Sequence, residues 1–446
     1  MFRRSSIPPD AVHRTLRQHL LVDGYPIVID FENSRRSRVR DAITGRDYLD
    51  FFSFFASNPL GFNHPGMQDA DVIERLGRVA TTKVSNSDYY TTYMAEFVDT
   101  LARTAAPPEL PFYFFIDGGA MAVENAMKTA FDWKVQKNLA AGRPDRGSQV
   151  VHLEHAFHGR SGYTLSVTNT DPRKTAFFPK FDWPRIPSPA LRFPLDEAAL
   201  ADVAEAERAA VALAEAAFDK NPDDIAAILI EPIQGEGGDN HFRPEFLREL
   251  RRLADEREAL LIFDEVQTGL GLTGRWWAYQ HFDVVPDIVC FAKKMQVGGI
   301  FVGPRVDEVP DNVFRLPSRI NSTWGGSLVD MVRCTRILEV IVNENLLENA
   351  ALRGKELLSG LEDIQARRSD AVSNARGRGL MCAIDLPTQE LRDRVVRRCF
   401  DDGMIVLSCG VRSVRFRPTL TVRAEAIQEG VERLDAAIAA VFSEAR

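Results

Sequence analysis

Between about residues 110 and 300 the chain alternates short, unbroken apolar runs with helix-patterned segments, and this alternation constrains the fold more than any other feature. Phe112 to Ile116, Gln149 to Leu153, Ile225 to Ile230, Leu260 to Phe263 and Asp287 to Phe291 read as strands. A strand covered on both faces needs apolar side chains on both, so continuous runs predict a parallel sheet with crossover helices. After the first strand, Ala122, Ala126, Met127 and Ala130 share one helical stripe, which is a core face. Leu195 to Asp219, rich in Ala and Glu, reads as a solvated surface helix. No internal repeat or low-complexity linker breaks the pattern.

With 446 residues, 45% of them hydrophobic, the chain buries enough surface for two domains. Residues 70–309 are expected to form a large sheet domain. Residues 1–69 are expected to pack with a smaller α+β domain at 310–446, which carries a strand-like Ser413 to Phe416, leaving a cleft against the sheet. The net charge of -8 argues against a general affinity for nucleic acid, which needs a basic surface. Arg35-Arg36-Ser37-Arg38-Val39-Arg40, the densest basic run, reads as solvated surface. No apolar run is long enough to span a bilayer. Met1-Phe2-Arg3-Arg4 is basic but is followed by two prolines and no apolar segment, so no secretory signal is expected. The cysteines at 290, 334, 382, 399 and 409 are scattered and lack the paired spacing of a zinc or redox site, which predicts no metal and a reducing, cytoplasmic setting. Cys290 and Cys382, in apolar runs, read as small core residues.

In open parallel sheets ligands sit beyond the carboxyl ends of the strands. Three predicted strands run there into an ionisable residue: Glu231, Asp264 and Lys293. A buried carboxylate and amine at neighbouring strand ends suit pyridoxal phosphate (PLP), whose aldehyde forms a Schiff base with lysine and whose ring nitrogen needs an anionic partner. They equally suit a Lys–Asp ion pair that only closes the sheet, and geometry leaves both readings open. Asp117-Gly118-Gly119-Ala120 supplies a strand-to-helix turn whose backbone N–H groups would face an anion.

Gly45 to Asp50 with Leu60-Gly61-Phe62-Asn63-His64-Pro65 opens a longer series of motifs. Phe157-His158-Gly159-Arg160, Glu231-Pro232-Ile233-Gln234-Gly235-Glu236-Gly237-Gly238, Phe263-Asp264-Glu265-Val266-Gln267-Thr268-Gly269 and Ser322-Thr323-Trp324-Gly325-Gly326 follow in order. In order and spacing this set resembles the class III, ω-aminotransferase branch of the fold-type I PLP enzymes, over most of the chain. The resemblance implies an α/β fold with a large, mostly parallel sheet flanked by helices and a smaller α+β domain built from both chain ends. It makes Lys293 the Schiff-base lysine, with Lys294 as its rival, and Asp264 the partner of the ring nitrogen. Gln267 would approach the ring oxygen, Phe157 would stack on the ring, and Gly119 and Ala120 would donate to the phosphate. Thr323 would reach that phosphate from a neighbouring subunit, which requires a homodimer with shared sites. Plain core for Phe157 and a helix cap for Thr323 are the structural alternatives, and His158 reads as structural. Where the family often has Asn-Ser-Gly-Ala-Glu, this chain has Asp117-Gly118-Gly119-Ala120-Met121, and Asp117 is expected to act as an N-cap.

Transamination requires one site to take two substrates in turn, and arginine suits bidentate carboxylate recognition. The candidates are Arg160 and Arg415. Arg415-Phe416-Arg417-Pro418-Thr419-Leu420 resembles the family segment whose first arginine holds the α-carboxylate of 2-oxoglutarate, with Glu236 as its pairing partner. Closed onto Arg415, Glu236 would admit an uncharged donor chain; swung away, it would free Arg415 for the keto acid. Arg160 would hold the distant carboxylate in either case. The alternative is that Arg415 and Arg417 pair only with surface acids. Ser85-Asn86-Ser87-Asp88-Tyr89-Tyr90 and Phe178-Pro179-Lys180-Phe181-Asp182-Trp183-Pro184-Arg185 resemble the L-lysine 6-aminotransferase subgroup. That implies L-lysine as donor and 2-oxoglutarate as acceptor, with ornithine or 4-aminobutyrate as the competing donors. A mutase or racemase on this fold would dispense with 2-oxoglutarate, and a PLP-binding regulator would have no need of both arginines.

Overall fold

A computed structural model describes residues 6–444, so the basic start Met1-Phe2-Arg3-Arg4 lies outside the described residues. The strands, in chain order, are β1 (Arg38–Arg40), β2 (Asp47–Asp50), β3 (Phe112–Ile116), β4 (Gln149–Leu153), β5 (Arg185–Ile186), β6 (Ile225–Ile230) and β7 (Leu260–Asp264). They continue with β8 (Ile288–Phe291), β9 (Gly298–Val302), β10 (Ser373–Arg378), β11 (Met381–Asp385), β12 (Met404–Ile405), β13 (Leu407–Cys409) and β14 (Ser413–Phe416). Seven of them form one sheet in the order β3-β9-β8-β7-β6-β4-β5. The run from β8 to β5 is parallel, and β6, β7 and β8 are buried along their whole length, which is the condition that makes their sequences continuously apolar.

β9 is an addition to the expected strands. It lies antiparallel to both β3 and β8 and separates them. Two glycines open it, and the second is required by packing: a Cβ on Gly299 would lie 2.3 Å from the Phe114 carbonyl oxygen and 2.5 Å from the Phe291 ring. Glycine there lets the ring of Phe291 fill the space a side chain would take.

The helix Gly119–Ala140 follows β3 and buries Ala122, Ala126, Met127 and Ala130 against the sheet, as their spacing implies. The segment expected to be solvated is corrected: Glu197–Lys220 buries Val203, Ala210, Ala214 and Phe218 on one face, and its buried Glu207 pairs with Arg243. The Ala-rich composition hid that stripe, because alanine serves both core and surface. Pro244–Glu256 begins with proline at its first turn and turns Phe246, Leu247, Leu250 and Leu253 inward.

Strand pairing joins the two ends of the chain. β12 pairs in parallel with β2, Met404 opposite Leu49, and β2 pairs with β1. The basic run therefore is not simply solvated surface: Ser37 and Val39 are buried, and Arg38 pairs with Glu429. A second, antiparallel sheet, β10-β11-β14-β13, carries Arg415 on its buried strand β14. All five cysteines are free and buried, and burial pushes the Cys399 and Cys409 thiols up to about 12, which fits core packing rather than reactivity. Among the described residues no helix is long and apolar enough to cross a membrane.

Candidate active site

The strand ends converge as the apolar runs imply. β7 ends in Asp264, opposite Cys290 of β8, and Lys293 follows just beyond that strand. Lys293 has φ of 48°, in the left-handed region that costs a residue with a side chain roughly 1–2 kcal/mol. The strain is held by local hydrogen bonds: Met295 N donates to Ala292 O at 3.0 Å, Gln296 N to Lys293 O at 2.7 Å, and Gln296 Nε2 to Ser57 O at 3.0 Å. Burial, then the nearby Arg415 guanidinium, lower the Lys293 ammonium to about 8, while Asp264 and Glu231 oppose the shift. Lys293 lines the cavity; Lys294 does not, and its amine donates to the Gln267 carbonyl at 2.7 Å. Of the two lysines, Lys293 is therefore the one that faces the cavity.

Asp264 is 5% exposed. Its Oδ1 accepts from Val266 N at 3.0 Å and its Oδ2 lies 2.8 Å from His158 Nδ1. His158, expected to be merely structural, is therefore the side chain that orients this carboxylate. It lies on the loop after β4, so the same strand-end logic that singled out Asp264 would have found it. Its backbone N–H donates to Thr168 Oγ1 at 2.9 Å, while its buried ring Nε2 has no partner among the described residues. Glu231, raised to about 7 by burial first and then by Asp264, against the pull of His158, accepts from Phe157 N at 3.0 Å and Gly235 N at 2.9 Å, tying two site loops together.

The turn before Gly119–Ala140 has no side-chain cap, which makes it chemically suited to an anion. Gly118 is the N-cap with φ of 85° and supplies no capping side chain. A Cβ on Gly119 would come within 2.7 Å of Val266, so the turn packs tightly on the β7 loop. Asp117 does not cap the helix, contrary to expectation: it is exposed and lies 3.9 Å from Lys83. The first-turn N–H groups are left facing the cavity, with the helix dipole favouring negative charge there. Thr323 is not a helix cap either, because Ser327 caps Leu328–Asn343. It is exposed on a turn pinned by Ser87 and Asn86, and it does not line the cavity of its own chain.

Glu236 lines the cavity as well, and the buried Arg415 stands behind it, with Arg415 Nη2 donating to Glu236 Oε2 at 2.6 Å. The loop that presents Glu236 needs glycine, since a Cβ on Gly237 would lie 2.0 Å from the His155 carbonyl oxygen. Arg417 pairs with Asp239, and both are fully buried, so neither arginine merely meets a surface acid. Gln267 Oε1 accepts from Arg417 Nη2 at 2.9 Å and Arg415 Nη1 at 3.3 Å, which leaves its amide N–H groups as the donors available to a ligand. Arg160 is exposed at the cavity wall and makes no ion pair among the described residues. The N-terminal segment adds Phe31, Phe54, Ser57 and Asn58, and the pair Arg333 and Asp330 closes another side; none of these stood out in the sequence.

The whole encloses about 920 Å³. The lining offers the kinds of group PLP needs: an amine at Lys293 for the aldehyde, a carboxylate at Asp264 for the ring nitrogen, an amide at Gln267 for the ring oxygen and an uncapped helix turn at Gly119 and Ala120 for the phosphate. Phe157 contributes an aromatic face at the cavity wall. The donor set fits that cofactor in kind.

Residues 22–438 match the family model for class-III aminotransferases. The L-lysine-epsilon aminotransferase of Mycobacterium tuberculosis is 56% identical over 98% of this chain and 95% of its own length. That of Amycolatopsis lactamdurans is 53% identical over 97% and 96%. A solved structure, the lysine aminotransferase from M. tuberculosis in the internal aldimine form, superposes with a TM-score of 0.95 at 54% identity, covering 97% of this chain and 99% of that one. Fold, site geometry and these relatives agree that the chain belongs to the class-III aminotransferases.

Proposed function

We propose that this protein transfers the ε-amino group of L-lysine to 2-oxoglutarate, giving 2-aminoadipate 6-semialdehyde and L-glutamate, with PLP as cofactor. The observation that carries the reading is one cavity lined by Lys293, Asp264 and Glu236, with the buried Arg415 paired to Glu236. The lysine ε-aminotransferase relatives support lysine over ornithine or 4-aminobutyrate as donor. The semialdehyde retains its α-amine at a distance suited to a six-membered ring, so it cyclises to piperideine-6-carboxylate.

PLP supplies an aldehyde that takes up the donor amine and a ring that accepts electrons when a proton leaves the reacting carbon. Lys293 anchors the cofactor and, once displaced, takes the proton from the terminal carbon of the donor as general base; a pKa near 8 keeps a useful fraction of the amine unprotonated near neutrality. Asp264, oriented by His158, keeps the ring nitrogen protonated, and Phe157 stacks on the ring. Gly119 and Ala120 donate to the phosphate, and Gln267 to the ring oxygen. Arg160 holds the distant carboxylate of either substrate. Glu236 neutralises Arg415 for the donor and leaves it for the keto acid.

The working unit is a homodimer in which Thr323 of one subunit reaches the phosphate of the other. Its exposure, with Trp324 beside it 44% exposed, supports a surface built to be covered. Residues 70–309 form the cofactor domain, and 1–69 pack with the small domain 310–446. The free, buried cysteines support a cytoplasmic setting.

The test is to add L-lysine alone to the PLP-loaded protein, follow the visible spectrum, and trap the product with o-aminobenzaldehyde. Conversion to the pyridoxamine form, reversed by 2-oxoglutarate, with a trapped piperideine, is expected. Conversion by ornithine or 4-aminobutyrate but not by lysine would refute the donor assignment.

A further inference from the structure

Among the described residues, Glu236 alone lines both the site and a second cavity of about 760 Å³. Its two oxygens take different partners. Oε2 accepts from Arg415 Nη2 at 2.6 Å, and Oε1 accepts from Lys174 Nζ, also at 2.6 Å. Lys174 ends the short turn Pro172–Lys174 and lines only the second cavity. Its ammonium sits 5.2 Å above the Phe157 ring and donates to Thr170 Oγ1 at 3.3 Å. An ammonium has three donors, so one remains for a further acceptor.

For a keto acid to use Arg415, Glu236 must give up a short, charge-assisted hydrogen bond in a site where its side chain is only 26% exposed. Unless another donor receives the freed oxygen, that loss opposes the second half of the reaction. We infer that Lys174 is the landing site of Glu236: the carboxylate turns about its existing contact with the ammonium into the second cavity and delivers both oxygens to Lys174. This rests on reading Arg415 and Glu236 as the carboxylate switch. Lys174 biases the switch because it holds one oxygen when Glu236 is closed and two when it is open; an equal hold in both states would shift nothing. Lys174 is thereby a positioning residue that sets the balance between the donor and the dicarboxylate acceptor.

The experiment measures equilibrium binding of two unreactive acids to the PLP-loaded enzyme by calorimetry. Glutarate requires Arg415 open; hexanoate, with one carboxylate, does not. Lys174→Met is expected to weaken glutarate about tenfold, the value of one charge-assisted hydrogen bond, while hexanoate changes less than about twofold. Lys174→Arg, which keeps charge and donors, is expected to restore most of the glutarate affinity. Equal weakening of both acids, or unchanged glutarate binding, overturns the inference. Glu236→Ala separates it from its premise: the switch reading requires this variant to shift preference toward glutarate and to abolish the effect of Lys174→Met. If Glu236→Ala leaves the preference unchanged, the switch itself fails and this inference with it. If it shifts the preference but Lys174→Met in the otherwise unaltered enzyme does not, the role of Lys174 alone is refuted.

Discussion

Lys293→Met should make the cofactor-free protein more stable at neutral pH. Burial lowers the Lys293 ammonium from 10.5 to about 8, so the folded protein holds the protonated amine less well than the unfolded chain does. Below pH 8 both states carry the proton and the folded state bears the full penalty. Between 8 and 10.5 the folded protein has released the proton while the unfolded chain keeps it, so stability rises with pH. Above 10.5 the penalty is gone. At about 1.4 kcal/mol for each pH unit of that span, the destabilisation at pH 7 is about 3 kcal/mol, and at pH 9.5 it is about 1.4 kcal/mol. Methionine keeps most of the volume, removes the charge and leaves the strained backbone as it was. Urea unfolding of both cofactor-free proteins at the two pH values reads the difference directly. A variant no more stable than the parent at pH 7, or a stabilisation that does not shrink by pH 9.5, would refute the reasoning.

Two further outcomes are expected. Asp239→Ala leaves the guanidinium of Arg417, fully buried, with only Gln267 Oε1 and its own neighbour's carbonyl, the Phe416 oxygen, as acceptors; breaking a buried pair in this way should cost about 3–5 kcal/mol in urea unfolding, and a loss under about 1 kcal/mol would show that the pair is already hydrated. His158→Phe removes the donor 2.8 Å from Asp264 Oδ2; kcat for lysine transamination should fall about tenfold or more with KM little changed, His158→Gln should recover part of it, and an unchanged kcat would leave His158 a packing residue only.

What the sequence disclosed and what it withheld follow from how far apart the interacting residues lie in the chain. Glu231, Asp264 and Lys293 were visible because a strand buried on both faces tolerates an ionisable residue only at its end, so each stood out against its own neighbours. The helical stripe from Ala122 to Ala130 was visible for the same local reason. β9 was not, because its two leading glycines look like a loop until Phe114 and Phe291 are seen to occupy the space a Cβ would take. Asp117 looked like a cap from its position, yet Lys83, far earlier in the chain, offered it a partner and left the helix N-terminus bare for an anion. His158 had only its place on the loop after β4 to mark it, and Lys174 had no local mark; the contact of each is with a carboxylate more than sixty residues away, Asp264 in one case and Glu236 in the other. Single-sequence reading therefore finds a site where chemistry violates a local packing rule, and misses the residues that tune it, whose cost and compensation are both long-range. That asymmetry bears on specificity in this protein: Lys293 and Asp264 sit at strand ends, whereas Lys174 meets Glu236 from a short turn, where the inferred role predicts that a single substitution shifts substrate preference without disturbing the sheet.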